Sequence, residues 1–124
     1  TRLVNPKHYS YSRLDRDAVL LLDDGHCLRE HAISACRLKG TEKISPFAAS
    51  SLLTLIEMVD ADLGITFLPE MAEGSALLAG TRVKTYALPE RNYREIGLAW
   101  RQGSTRGAEF RKLGEHLLSI AGKA

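Results

Sequence analysis

Residues 18–30 read Ala-Val-Leu-Leu-Leu-Asp-Asp-Gly-His-Cys-Leu-Arg-Glu, a run in which an apolar strand gives way to a helix. The apolar part, 18–22, predicts a buried strand, and the Asp-Asp-Gly that follows predicts a turn. A helix is predicted over 26–38, so Cys27 lies in its first turn. Unpaired backbone N–H groups and the positive end of the helix dipole favour a negative charge there. His26 and Arg29 add cationic character, and together these surroundings favour the thiolate, which is the reactive form of cysteine.

Cys36 is the second of the two cysteines in the chain and lies nine residues after Cys27. Nine residues of helix rise about 13.5 Å and turn the two side chains onto opposite faces. A disulfide requires Cα atoms no more than about 7 Å apart. A bond between these thiols therefore requires the helix to unwind, so that oxidation becomes a conformational switch. In the intact helix Cys36 continues the apolar stripe of Leu28 and Ala32, which predicts that it packs in the core.

Composition narrows the class of protein. The 124 residues, 44% of them hydrophobic and 26% charged, suffice for one soluble domain with its own core. Seventeen basic and fifteen acidic residues give a net charge of +2, too balanced for an electrostatic surface that binds nucleic acid or a membrane. No apolar run approaches the roughly 20 residues of a membrane span, and no signal peptide opens the chain. Two cysteines are too few for a secreted disulfide scaffold, so we expect a cytoplasmic protein with a reactive thiol.

Strands and helices alternate along the chain. A strand is predicted over 44–49, where Pro46 restricts it to a sheet edge or to its first residues. Ser50 or Ser51 is expected to cap a helix extending to about Ala61. Its apolar face carries Leu52, Leu55, Ile56 and Val59. Further strands are predicted at 2–4, 65–68, 82–88 and 96–101, a short helix at Pro69, and an amphipathic helix from Ser104 or Thr105 to Ile120. This order predicts an α/β fold with a largely parallel sheet.

Three motifs resemble one protein family. Gly25-His26-Cys27-Leu28-Arg29, with a second cysteine nine positions after the first, is similar to the reactive segment of OxyR-type proteins, the hydrogen-peroxide-responsive branch of the LysR-type transcriptional regulators. Ser51-Leu52-Leu53-Thr54-Leu55 with Met58-Val59, followed by Gly64-Ile65-Thr66-Phe67-Leu68-Pro69, resembles a helix-and-strand pattern found in LysR effector domains generally. Arg94-Glu95-Ile96-Gly97-Leu98 resembles the family's strand that returns to the hinge. The resemblance covers nearly the whole chain, but only the cysteine motif is specific to the peroxide sensors.

The resemblance implies a fold and a domain organisation. The family's effector domain is α/β and periplasmic-binding-protein-like, with two lobes joined by crossing strands. Residues 1–95 would form the distal lobe with the redox cysteines, and residues 96–124 the hinge strand and C-terminal helix returning to the proximal lobe. The N-terminal DNA-binding domain is expected to be absent from this chain. DNA and RNA polymerase are then partners only of the full-length parent, which would be a dimer or tetramer.

The resemblance also implies roles for individual residues. Cys27 is the peroxidatic cysteine, oxidised by hydrogen peroxide to a sulfenic acid, and Cys36 is the resolving cysteine that condenses with it to a disulfide. His26, Arg29 and Arg94 are expected beside the thiol. Glutaredoxin or thioredoxin would reduce the disulfide. Because each oxidation consumes the Cys27 thiol, the resemblance implies a receptor and not a turnover enzyme, and it implies no cofactor. The cysteines and histidines of the chain also lack the spacing of metal ligands.

Two other functions remain open at this point. A thiol peroxidase or oxidoreductase would use the same activated cysteine, although the chain has no Cys-x-x-Cys motif; a turnover assay coupled to NADPH discriminates. A LysR effector domain that binds a small metabolite would carry its cysteines incidentally. That alternative predicts unchanged signalling when Cys27 is replaced by serine.

Overall fold

The computed structural model describes residues 10–35, 38, 40–88, 93 and 95–121. Cys36, Arg94 and the predicted strand at 2–4 lie outside these described residues. The chain divides into two compact units, Thr1–Tyr93 and Arg94–Ala124. Within the part of the chain that is described, no helix is both long enough and apolar enough to cross a bilayer.

Strand β1 (Val19–Leu22) lies in the core of the first unit, and all four of its residues are buried. Its side chains alternate between two apolar clusters. Val19 and Leu21 pack in one cluster with Ala32, whereas Leu20 and Leu22 pack in the other with Leu55. A strand covered on both faces is expected to be apolar throughout, as parallel strands between layers are. The predicted strand at 18–22 is therefore confirmed.

Strand β2 (Ile44–Ala49) pairs with β1 in parallel. Val19 is opposite Ile44 and Leu21 is opposite Ala48, so β2 has two extra residues where the register shifts. Pro46, which cannot donate to a ladder, lies within this irregular part of β2. Among the described residues the sheet order is β1–β2, which makes β2 an edge strand as its proline predicts.

Helix α1 (Cys27–Ala35) follows β1, and helix α2 (Leu52–Asp60) follows β2. Ser51 is the N-cap of α2, and its Oγ accepts a hydrogen bond of 3.1 Å from the N–H of Thr54. Leu55 and Ile56 are buried, and Leu52 and Val59 pack against the core. The predicted cap and the apolar face of α2 are confirmed.

A single parallel bridge joins Val19 to Ile65 on the other side of β1. The N–H of Leu20 donates to the Ile65 carbonyl at 2.8 Å, and the N–H of Ile65 donates to the Ala18 carbonyl at 2.9 Å. Gly64 makes this approach possible, because a Cβ there would lie 2.6 Å from the Ala18 carbonyl oxygen. Within the part of the chain that the structure describes, residues 65–68 form this bridge at Ile65 but no continuous strand, which corrects the prediction.

Three further predictions are corrected by the structure. The predicted helix extends to Leu38, but Leu38 lies outside α1. Its N–H donates a hydrogen bond of 3.0 Å to the Ile33 carbonyl, a 6→1 contact typical of helix ends. Its side chain packs in the core. The segments 82–88 and 96–101 form no strand within the described residues. An alternating sequence becomes a strand only where a neighbour supplies backbone hydrogen bonds.

The second unit contains helix α3 (Gly107–Ala121), close to the predicted amphipathic helix. Ser104 Oγ accepts a hydrogen bond of 3.3 Å from the N–H of Arg106 just before the helix begins. The rings of Trp100 and Phe110 lie 5.9 Å apart, centroid to centroid. In the first unit a short 3₁₀ helix (Glu70–Ala72) follows Pro69, as predicted.

Candidate functional site

The turn between β1 and α1 brings Cys27 to the carboxyl end of the sheet. The N–H of Asp23 donates to the Ala49 carbonyl (3.0 Å), which extends the parallel pairing by one residue. The N–H of His26 donates to the Asp23 carbonyl (3.2 Å) and closes the turn. Gly25 has φ +93°, a left-handed conformation that favours glycine. The predicted strand, turn and helix therefore occur in the expected order.

Cys27 is the first residue of α1, and its thiol is free and exposed. His26, immediately before it, is also exposed. The structure thus places Cys27 where an oxidant in solution can reach it.

Arg29 contacts the turn itself. Its Nη1 donates a hydrogen bond of 2.9 Å to the carbonyl of Leu22, the last residue of β1. Its Nε lies 2.8 Å from Oδ1 of Asp24, and its side chain is only 20% exposed. The backbone N–H of Arg29 also donates to the His26 carbonyl at 2.9 Å. Sequence reasoning missed Asp24 as a partner, because a spacing of five residues across a turn carries no helical signal.

The length of α1 constrains the chemistry of Cys27. The Cα atoms of Cys27 and Ala35 lie at opposite ends of α1, about 12 Å apart at a rise of 1.5 Å per residue. One more residue spans about 3.8 Å. Since a disulfide requires Cα atoms within about 7 Å, a bond between Cys27 and Cys36 requires part of α1 to unwind. Cys36 and Arg94, the other predicted site residues, lie outside the described residues.

A second set of contacts joins residues 11–14, before β1, to Gly40 and Lys43. The hydroxyl of Tyr11 donates to the Gly40 carbonyl at 3.1 Å, and Lys43 Nζ donates to the Leu14 carbonyl. Burial raises the pKa of Tyr11 above its usual value, and the nearby Glu42 carboxylate raises it further. No sequence pattern pointed to Tyr11, since the contact joins residues 29 positions apart.

A small, largely apolar pocket lies beside the turn, lined in part by Leu22, Leu28, Arg29, Leu52 and Thr66. The hydroxyl of Thr66 donates to the Leu20 carbonyl at 2.8 Å. Among the residues that the structure describes, no three His, Cys, Asp or Glu side chains are grouped to hold a metal ion.

The chain matches one family over nearly its whole length: residues 2–121 fit the LysR substrate binding domain. Among curated relatives, the HTH-type transcriptional regulator EstR of Acinetobacter baylyi is 46% identical over 70 residues, covering 56% of this chain and 23% of that protein. The hydrogen peroxide-inducible genes activator of Haemophilus influenzae is 43% identical over 96 residues, covering 75% of this chain and 31% of that protein. The chain thus spans about a quarter to a third of the length of these relatives.

A solved structure is also similar to this chain. The reduced form of the regulatory domain of OxyR2 from Vibrio vulnificus is 46% identical, with a TM-score of 0.79 over 86% of this chain and 50% of that one. This likeness and the family match confirm the predicted α/β, periplasmic-binding-protein-like effector-domain fold, of which this chain is a part.

Proposed function

The chain belongs to the LysR substrate-binding domain family, and we propose that it senses hydrogen peroxide through Cys27 as part of a transcriptional regulator. One observation carries this proposal: an exposed, free thiol begins α1 directly after β1 and its glycine turn. The relative from Haemophilus influenzae, named a hydrogen peroxide-inducible genes activator, supports it. The family is one of regulatory domains and not of enzymes.

The proposed chemistry has two steps. The Cys27 thiolate attacks one oxygen of hydrogen peroxide, the O–O bond breaks, and the hydroxide that leaves takes up a proton to form water. Cys27 is then a sulfenic acid. The Cys36 thiol attacks its sulfur, the S–O bond breaks, and a second water leaves as the disulfide forms. Two thiols and one peroxide thus give one disulfide and two waters.

The disulfide acts as a switch because α1 cannot accommodate it. Unwinding α1 removes Ala32 from the buried cluster that contains β1 and changes the surface presented to other subunits. The same loss makes the oxidised state strained, and strained disulfides are readily reduced. We propose that glutaredoxin or thioredoxin performs that reduction, in the cytoplasm of the cell.

The proposal extends to the parent protein. Residues 1–95 form the distal lobe of the effector domain, and residues 96–124, which contain α3, return to the proximal lobe. DNA and RNA polymerase are contacted by the full-length parent, a dimer or tetramer, through an N-terminal helix-turn-helix. His26, Arg29 and Arg94 belong to the thiol's surroundings.

The test is peptide mass spectrometry of the chain after titration with hydrogen peroxide. We expect one intramolecular Cys27–Cys36 disulfide per chain, with a trapped sulfenic acid on Cys27 in Cys36→Ser. Cys27→Ser should leave Cys36 reduced at the same peroxide concentration. If Cys36 oxidises first, or if Cys27→Ser still responds, the assignment of Cys27 is wrong.

Reception of a small metabolite is the second candidate, because residues 2–121 match a family described as the LysR substrate binding domain. In that case the response of the parent regulator is unchanged by Cys27→Ser. The chain is a thiol peroxidase if trace amounts of it sustain many cycles of NADPH-coupled peroxide reduction. A rate of NADPH oxidation no higher than that of the reductant system alone excludes this function.

A further inference from the structure

Arg29 joins three parts of the β1–α1 connection. Its guanidinium binds the carbonyl at the end of β1 and the carboxylate of Asp24 in the turn, while its own backbone is in the first turn of α1. The contacts close a ring of chain from Leu22 to Arg29, and Cys27 lies within that ring. Arg29 therefore cannot keep both contacts if the first turn of α1 unwinds.

We propose that Arg29 is a positioning residue that stabilises the reduced conformation and thereby sets how readily the Cys27–Cys36 disulfide forms; this rests on the function proposed above. Arg29 acts through Leu22 and Asp24, and not by contact with peroxide. Its guanidinium stabilises only the state in which α1 is helical. Removing the guanidinium raises the free energy of the dithiol and leaves the disulfide state unchanged, so the equilibrium moves toward the disulfide.

The two contacts of Arg29 differ in how much they stabilise the reduced conformation. The Asp24 side chain is 94% exposed, so its ion pair with Arg29 is screened by water and contributes little. The hydrogen bond to the Leu22 carbonyl is part-buried and has a charged donor. A hydrogen bond with a charged donor typically shifts the equilibrium toward the state that contains it by about tenfold or more. Most of the effect of Arg29 on the constant for disulfide formation should therefore come from its hydrogen bond to the Leu22 carbonyl.

The test is a redox titration of the whole chain in glutathione buffers, with the dithiol and disulfide forms quantified by mass after alkylation. Each disulfide formed reduces one oxidised glutathione to two glutathione thiols. We expect Arg29→Met, which keeps the aliphatic stem, to raise the constant for disulfide formation about tenfold, a potential about 30 mV more negative. Arg29→Lys should shift it less than Arg29→Met, because the ammonium keeps the positive charge and can still donate a hydrogen bond, although it lacks the planar fork of arginine. Asp24→Asn should change it no more than about threefold.

Arg82→Met is the control for loss of an arginine away from α1, although the Arg82 side chain is 85% exposed and that of Arg29 only 20%. Arg82 also pairs with a carboxylate and a backbone carbonyl, through Nε 3.8 Å from Asp60 Oδ1 and Nη2 donating to the Asp60 carbonyl at 3.2 Å. Those contacts lie at the end of α2, so the same loss should leave the disulfide constant unchanged.

Three outcomes decide the matter. A shift in Arg29→Met but not in Arg82→Met supports the positioning role. An unchanged constant in Arg29→Met, or an equal shift in Arg82→Met, overturns it while the disulfide of the unsubstituted chain still supports the proposed function. If the unsubstituted chain forms no disulfide at any glutathione ratio, the proposed function fails, and this inference fails with it. Should Arg29→Met not fold, Arg29→Gln, which also removes the guanidinium charge, takes its place, and an unchanged constant in that variant overturns the role.

Discussion

Replacing Ala32 by glycine weakens α1 without changing either thiol. Ala32 is buried, at 9% exposure, in the cluster that contains β1. Glycine in a helix interior costs about 1 kcal/mol relative to alanine, and a lost buried methyl adds about 0.8 kcal/mol. Ala32→Gly should therefore lower the free energy of unfolding of the reduced chain by about 2 kcal/mol.

The same substitution should favour the disulfide, because the oxidised chain has already lost this part of α1. If the oxidised chain avoids only the helix-propensity cost of glycine, the constant for disulfide formation rises about fivefold; if it also avoids the cost of the lost methyl, the constant rises about twentyfold. Urea denaturation measures the stability, and titration in glutathione buffers measures the constant.

Ala72→Gly provides the comparison, since Ala72 is also buried, at 4% exposure, but lies in the 3₁₀ helix after Pro69. It should lower stability and leave the disulfide constant unchanged. A lower stability for Ala32→Gly with no change in the constant would refute the reasoning, because α1 would then be equally present in both redox states.

Three more predictions concern the fold around the site. Ser51→Ala removes the cap of α2 and should cost about 1 kcal/mol in urea denaturation. Gly64→Ala places a Cβ 2.6 Å from the Ala18 carbonyl oxygen and should cost about 1–3 kcal/mol, whereas Gly97→Ala, with open space around it, should be nearly neutral. Because burial raises the pKa of Tyr11 in the folded chain, its contribution to stability is complete below about pH 10 and declines as the pH rises further; Tyr11→Phe should flatten that decline in denaturation curves recorded from pH 9 to 11.

Local sequence patterns were sufficient to predict the elements whose formation depends on neighbouring residues in the chain. The apolar run of β1, the serine cap of α2 and the edge position implied by Pro46 each depend on residues adjacent in the chain. The placement of Cys27 in the first turn of α1 followed from the same kind of signal, since Gly25 marks the turn before it.

Contacts that depend on how the chain folds back on itself were not predictable from the sequence. The alternating residues at 82–88 and 96–101 have the pattern of strands, but pairing depends on a neighbouring strand that the pattern does not identify. The ion pair of Arg29 with Asp24 depends on how tightly the turn closes. The contact of Tyr11 with Gly40 joins residues 29 positions apart. In each case the missing information is geometry and not residue type.

Oxidation of Cys27 is proposed to unwind α1, and hydrogen–deuterium exchange measures that unwinding residue by residue. The backbone amides of α1 in the reduced chain should be protected, since the helix pairs them and packs on β1. In the peroxide-treated chain with its Cys27–Cys36 disulfide, exchange at these amides should accelerate, while α2 keeps its protection. A chain that carries the disulfide and exchanges the α1 amides as slowly as before would contradict the claim.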